Sequence, residues 1–304
     1  MSKNDNNPMV QKQARTKSDV MKVLPFKIPK PEHDALVYQE DKGILFYDKL
    51  HQHEEIQISY IIKGEGKLIV GDTVNYYKPN DILVIGSYLP HILKSDVSAT
   101  EESEMLTLFF TKKSFGTNFF NMEETKALQP FFTRATHGFK AISDSEDMAR
   151  LFLSLRSAEK LDRFLILLKL LKLGSSCEYQ SLSSFIYDKH YSDSEGHRMR
   201  DIFEFTMGNF NANITLEDVS DKANMTKNAF CKYFKKRTNK TYFQFLTELR
   251  VEHATKLLVS ENQFTIAEIA YESGFKNISN FNRQFKVIKK DTPSDFRKEN
   301  IATF

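Results

Sequence analysis

The chain has 304 residues, 40% hydrophobic and 27% charged, with two cysteines and a formal net charge of +3. That length suits about two domains, the composition excludes disorder over most of the chain, and two cysteines exclude a disulfide framework. No apolar run reaches the ~18–20 residues of a membrane span and the amino terminus lacks a signal-peptide core, so a cytoplasmic location without membrane contact is expected.

Residues 1–21 are polar and are expected to form a flexible tail. From 22 to 177 the chain first shows short apolar runs at 44–47, 56–62, 67–70, 82–85 and 106–110. Turn residues separate them: Gly64, Gly66, Gly71, Asp72, Pro79, Asn80, Asp81 and Pro90. Strands this short and evenly spaced predict a small barrel or sandwich. If the chain is extended from 51 to 59, alternation places His51, His53, Glu55, Gln57 and Ser59 on one face. Ile56, Ile58 and Tyr60 then share the other.

Beyond about 120 the period becomes helical. Residues 159–173 (EKLDRFLILLKLLKL) carry an apolar arc wider than one core-facing stripe needs. One face is expected to cover the β-rich part and another to meet a partner subunit, which predicts a homodimer. Residues 178–197 are polar, turn-rich towards their end, and expected to be a linker.

The last ninety residues repeat themselves. Thr215, Val219 and Met225 recur fifty positions later as Thr265, Ile269 and Phe275. Phe230, Phe234, Thr241 and Phe245 recur fifty-one later as Phe281, Phe285, Thr292 and Phe296. The one-residue slip falls at a turn, where Asn224 and Gly274 correspond and can both take a left-handed backbone. Each copy reads as helix, tight turn, helix, with Thr215 and Thr265 as amino-terminal caps. The second helices are expected over 226–237 and 278–286, and a connecting helix over 242–260. Residues 198–304 hold 18 Lys and Arg against 13 Asp and Glu, and residues 226–240 alone hold six basic residues and no acid. Such a stretch suits nucleic acid, with a solvated helix face as the ordinary alternative.

The segments ITLEDVSDKANMTKNAFCKYFKKRTNKTYFQFL, LRVEHATKLL, IAEIAYESGFKNISNFNRQFK and TPSDFRK resemble the AraC-type transcription regulators over about 215–300. The resemblance implies an all-α DNA-binding domain with two helix-turn-helix motifs over 198–304. It also implies promoter DNA as partner, dimerisation, and often activation, with RNA polymerase as a further candidate partner.

Helical position commits Phe230, Tyr233, Phe234, Ile278, Phe281 and Phe285 to the core, leaving the opposite faces for DNA. The resemblance puts base readers at Asn228, Cys231, Lys232, Ser279, Asn280 and Arg283. Arg283 can fork onto guanine and Asn280 onto adenine, whereas Lys235, Lys236 and Lys286 suit phosphates. Lys227 shares the exposed face of its helix.

Residues 44–95 resemble the cupin-like sensor domain of the same family, which implies a β-barrel or jelly roll with helices over 22–177. In metal-binding cupins two histidines one residue apart precede a carboxylate, with a third histidine on a later strand. His51, His53 and His91 stand at matching positions, but Gln57 occupies the carboxylate position. An amide supplies no charge for a divalent ion, so no cofactor or metal is expected. His51, His53, Gln57 and His91 are expected instead to line a small-molecule effector pocket. Two function classes follow: a regulator with an effector or dimerisation domain, and a metal-dependent cupin enzyme fused to a DNA-binding module. Gln57 and the double repeat favour the first.

Overall fold

A computed structural model describes residues 34–184, 193–260 and 263–301. The expected tail at 1–21, and residues 185–192 of the expected linker, lie outside the described residues.

Alternating apolar runs build two antiparallel sheets. The strands are β1 (Val37–Gly43), β2 (Ile56–Lys63), β3 (Gly66–Val70), β4 (Thr73–Tyr77), β5 (Ile82–Ile85), β6 (His91–Ser95), β7 (Ser103–Phe110), β8 (Phe139–Ala141) and β9 (Tyr179–Ser181). One sheet runs β1-β7-β2-β5-β8-β9 and the other β4-β3-β6. Of the expected barrel or sandwich, the strands form two separate sheets that face each other and do not close into a barrel. An isolated bridge, His51 with His91, ties the segment before β2 to β6.

Side-chain alternation sorts the larger sheet into two faces. Ile56, Ile58 and Tyr60 of β2, with Leu106, Leu108 and Phe110 of β7, share a core with three helices. These are α1 (Gln129–Ala135), α2 (Ser145–Ser154) and α3 (Lys160–Ser176). The opposite face sends Ile61, Leu83, Ile85 and Met105 against Leu68, Val70, Tyr77 and Leu93 of the smaller sheet. Each such side chain contributes about 1.5–3 kcal/mol by leaving water.

Two local expectations change here. Residues 44–47 are irregular rather than a strand, with Ile44, Leu45 and Tyr47 exposed and only Phe46 buried between the sheets. Tyr179–Ser181, expected in the linker, pairs with β8 as an edge strand. Helix α3 buries Ile166, Leu167, Leu170 and Leu171 and leaves Leu161 and Leu165 exposed.

The carboxy-terminal part is helical: α4 (Asp193–Asn209), α5 (Leu216–Lys222), α6 (Lys227–Thr238), α7 (Tyr242–Ser260), α8 (Ile266–Glu272), α9 (Ile278–Lys289) and α10 (Pro293–Ile301). Helices α5 and α8 open on matching capping boxes, Thr215 with Asp218 and Thr265 with Glu268. Each satisfies amide groups that a helix start leaves unpaired. The turns that follow hold Asn224 at φ 50° and Gly274 at φ 83°. At Gly274 a Cβ would come within 2.8 Å of the Phe210 carbonyl oxygen, so crowding and backbone both demand glycine. Helix α7 is shared between the pairs. Tyr242, Phe245 and Leu249 pack with Phe230 and Phe234 of α6, while Val251, Ala254 and Leu258 pack with Phe281 and Phe285 of α9.

The sheet-rich and helical parts are joined by apolar and ionic contacts. Leu50, Ile69, Val74 and Ile92 belong to the apolar cluster that contains Met199, Ile202 and Phe203 of α4. Lys240 donates to the Asp72 carbonyl at 2.9 Å, and Lys256 reaches Glu65 at 2.9 Å and Asp96 at 2.5 Å. The Lys67 ammonium sits 3.8 Å from the centre of the Phe210 ring.

Candidate nucleic-acid interface and small-molecule cavity

The second helix of each pair is held by its aromatic face and capped at its start. Thr226 accepts from the Ala229 amide and Asn277 from the Asn280 amide. With Phe230, Phe234, Phe281 and Phe285 buried, the opposite faces are free for contact. Lys227, Asn228, Cys231, Lys232, Lys235 and Lys236 are all exposed on α6. On α9, Ser279, Arg283 and Lys286 are exposed and Asn280 is half-buried. The structure therefore brings each set onto one helix face.

Details refine the expected roles. Arg283 Nη2 donates to Asn280 Oδ1 at 3.1 Å, so these two side chains form a linked pair. Lys227 pairs with Glu217 at 2.9 Å on the surface, where such a pair contributes little. Arg237 is ion-paired with Glu195, and Lys240 lies between Glu248 and Asp72, so the basic stretch 226–240 divides between the outer face and internal contacts. Ile278 does not join the core as expected. It opens α9 before the aromatic face begins and remains 39% exposed.

The four expected pocket residues also come together. His51, His53, Gln57 and His91 line one cavity of about 310 Å³ between the sheets. Ring centres lie 4.2 Å apart for His51 and His91, and 5.1 Å for His53 and His91. Gln57 Oε1 lies 3.2 Å from His53 Nε2. The same residue donates through its amide to Ser59 at 2.9 Å, and Ser59 contacts Thr107 at 2.9 Å. Glu55, expected on the same face, does not line the cavity, and its main-chain carbonyl lies 2.9 Å from His53 Nδ1. Burial pulls His51 down to about 3 and lowers His53 and His91, so all three imidazoles are neutral at neutral pH.

The sequence reading missed Asp41, Tyr47 and Phe109, which are among the other residues of the wall. Asp41 sits on β1, a polar strand whose seven residues show no apolar run, and burial raises its carboxyl above the usual range. It also missed Arg200, whose guanidinium donates to the Leu50 carbonyl at 2.8 Å and 3.2 Å beside the cavity. No spacing rule announces such a contact, which links residues 150 positions apart. Among the described residues no helix is long and apolar enough to cross a membrane.

A family model described as a helix-turn-helix domain matches residues 219–299, from inside α5 to α10. The uncharacterized HTH-type transcriptional regulator YdeC of Bacillus subtilis is 22% identical over 86% of this chain and 89% of its own length. The transposon Tn10 TetD protein of Escherichia coli is 33% identical over 36% of this chain and 81% of its own. The lactose operon transcription activator of Staphylococcus xylosus is 30% identical over 31% of this chain and 33% of its own. With the repeated helix pairs and their exposed basic faces, these matches place the chain in a family: it belongs to the AraC-type helix-turn-helix transcription regulators.

Proposed function

We propose that this regulator reads double-stranded promoter DNA with two helix-turn-helix units, α5–α6 and α8–α9, entering successive major-groove segments. The observation that carries the reading is α7, shared between the two pairs. Its 19 residues span about 28 Å, close to the ~34–36 Å of one duplex turn. Asn228, Cys231 and Lys232 then face bases from α6, and Ser279, Asn280 and Arg283 from α9, while Lys227, Lys235, Lys236 and Lys286 meet phosphates. Residues 198–304 form the DNA-binding domain in this reading, and 22–177 a cupin-like sensor.

The sensor cavity takes a small-molecule effector. Its histidines and the amide of Gln57 offer hydrogen bonds within walls that also contain Phe109, Leu93 and Met105. An effector acts only if it binds one arrangement of sensor and helices better than another. The exposed Leu161 and Leu165 of α3 support a homodimer, which would carry four reading helices. The activator among the relatives supports activation, with RNA polymerase as the further partner. Nothing in this mechanism requires catalysis, so the protein acts as a regulator and not as an enzyme.

Hydroxyl-radical footprinting of the full chain on a selected duplex tests the geometry. The reading predicts two protected segments about one turn apart on one face for each chain bound. A single protected segment per chain would contradict it. Lys236→Ala should weaken binding to all duplexes alike and reduce the salt slope by about 1. Titrations at several salt concentrations check this, and a loss confined to one sequence would remove Lys236 from the phosphate set.

A further inference from the structure

The two helix-turn-helix units do not share one core. Phe230, Phe234 and Leu249 belong to the apolar cluster of the first, and Val251, Phe281 and Phe285 to a separate cluster of the second. Helix α7 serves both, and the seam between them falls at Arg250, the residue between Leu249 and Val251. Long helices curve rather than stay straight, so α7 alone does not fix the angle between units whose cores are separate. Contacts across the seam have to do so.

Arg250 makes such contacts. Its Nε donates to the Phe210 carbonyl at 2.7 Å and its Nη2 to the Ala212 carbonyl at 2.7 Å. Two bonds from one planar fork set direction as well as distance. The loop so held joins α4 to α5, and Phe210 packs against the first unit's core. The same loop meets the turn of the second unit. A Cβ at Gly274 would come within 2.7 Å of Asn211 Cα and 2.9 Å of Arg250 Nε, so loop, guanidinium and turn are stacked with no room for a side chain. The sensor grips this brace as well. Lys67 of β3 holds its ammonium over the Phe210 ring, and His253 of α7 meets that ring with centres 4.9 Å apart. Burial pulls the Lys67 ammonium down to about 8, so it keeps its charge at neutral pH. Glu65, two residues before Lys67, pairs with Lys256 beyond the seam.

We infer that Arg250 is a positioning residue for DNA reading. By bracing the loop at 210–212 against the Gly274 turn, it fixes the angle between the two units, and with it the spacing of the two segments they read together. Lys67 holds the same loop from the sensor, which makes this spacing the property that the sensor adjusts. This rests on the two-unit reading of promoter DNA and adds what sets the register of the units. One base pair more or fewer shifts the second segment by about 3.4 Å and turns it by about 35° around the duplex. A braced pair of units cannot follow both displacements, whereas an unbraced pair turns at the seam and follows them.

The test uses the full chain with a duplex selected from a random pool, and with duplexes carrying one base pair more or fewer between the two contacted segments. The native chain should lose about tenfold or more in affinity on either altered duplex, as much as a mismatched base pair costs. Arg250→Met keeps the stem of the side chain and removes its donors. It should bind the selected duplex more weakly, yet cut the spacing penalty to about threefold or less, with base preference inside each segment unchanged. Should Arg250→Met fail to fold, Arg250→Lys decides, since an ammonium cannot replace the fork, and its penalty should be at most about a third of the native one. Lys67→Met leaves the Arg250 bonds in place and should change the penalty about twofold or more. A native chain indifferent to spacing would overturn the inference. Folded Arg250 variants that weaken binding equally at every spacing would overturn it too, since that marks a merely structural residue. A Lys67→Met penalty equal to the native one would overturn the sensor's part alone. Failure of the two-unit reading itself is distinct, because the chain would then protect a single segment of the selected duplex, and the role of Arg250 falls with it.

Discussion

Replacing Asp72 with Ala is expected to lower the unfolding free energy by about 3–5 kcal/mol, the cost of breaking a buried charged network from one side. Asp72 is fully buried in the turn between β3 and β4. Its carboxylate accepts from Ser183 Oγ at 2.8 Å, from the Ser184 amide at 3.0 Å and from Ser184 Oγ at 2.5 Å. Lys240 Nζ lies 3.5 Å away, and donates to the Asp72 main-chain oxygen as well. One side chain thus holds the sheet turn, the segment after β9 and the segment after α6. Burial alone would raise the Asp72 carboxyl, but the serine hydrogen bonds and the Lys240 charge outweigh it and hold it below its usual value. A depressed carboxyl contributes stability above its unfolded value near pH 4 and loses it as pH falls through the folded value. The difference between native and Asp72→Ala protein should therefore be full at neutral pH and shrink below about pH 4. Denaturant titrations at both pH values check this, and a loss under 1 kcal/mol at neutral pH would show that the network does not hold the parts together.

The second large effect concerns reading. Arg283→Ala should cost about 1–3 kcal/mol at the specific duplex, roughly five- to 150-fold in affinity, and relax preference at one base position. The guanidinium is exposed on α9 and is oriented by its bond to Asn280 Oδ1. An arginine held by one neighbour loses less freedom when it forks onto guanine than a free one does. Comparing affinities on duplexes that differ at single positions measures the effect. Uniform weakening across all of them would reassign Arg283 to the phosphates.

The helical half was legible because its signals are local. Capping residues, left-handed turn positions and aromatic spacing each sit within a few residues of the element they specify. Helix α7 was accordingly expected over the residues it occupies, 242–260. Ile278 misled because the first residue of a helix projects past the core that later turns bury. In the β-rich half, β2, β3, β5 and β7 announced themselves through apolar runs. Strands β1 and β9 did not, since VYQEDKG and YQS pair through their main chains at sheet edges and need no apolar pattern. The apolar run at 44–47 is not a strand: only Phe46 enters the core, while Leu45 and Tyr47 line the cavity and stay largely exposed. His51, His53, Gln57 and His91 were brought together as expected, yet the Nδ1 contacts that orient the rings depend on main-chain carbonyls and have no sequence signature.

The most direct test of the account is selection from a random duplex pool with the full chain, run beside Arg283→Ala near physiological salt. The account predicts an enriched motif with two contacted segments about one turn apart, and a change at one base position in the variant. Salt-sensitive retention without enrichment, or a motif unchanged by Arg283→Ala, would contradict it.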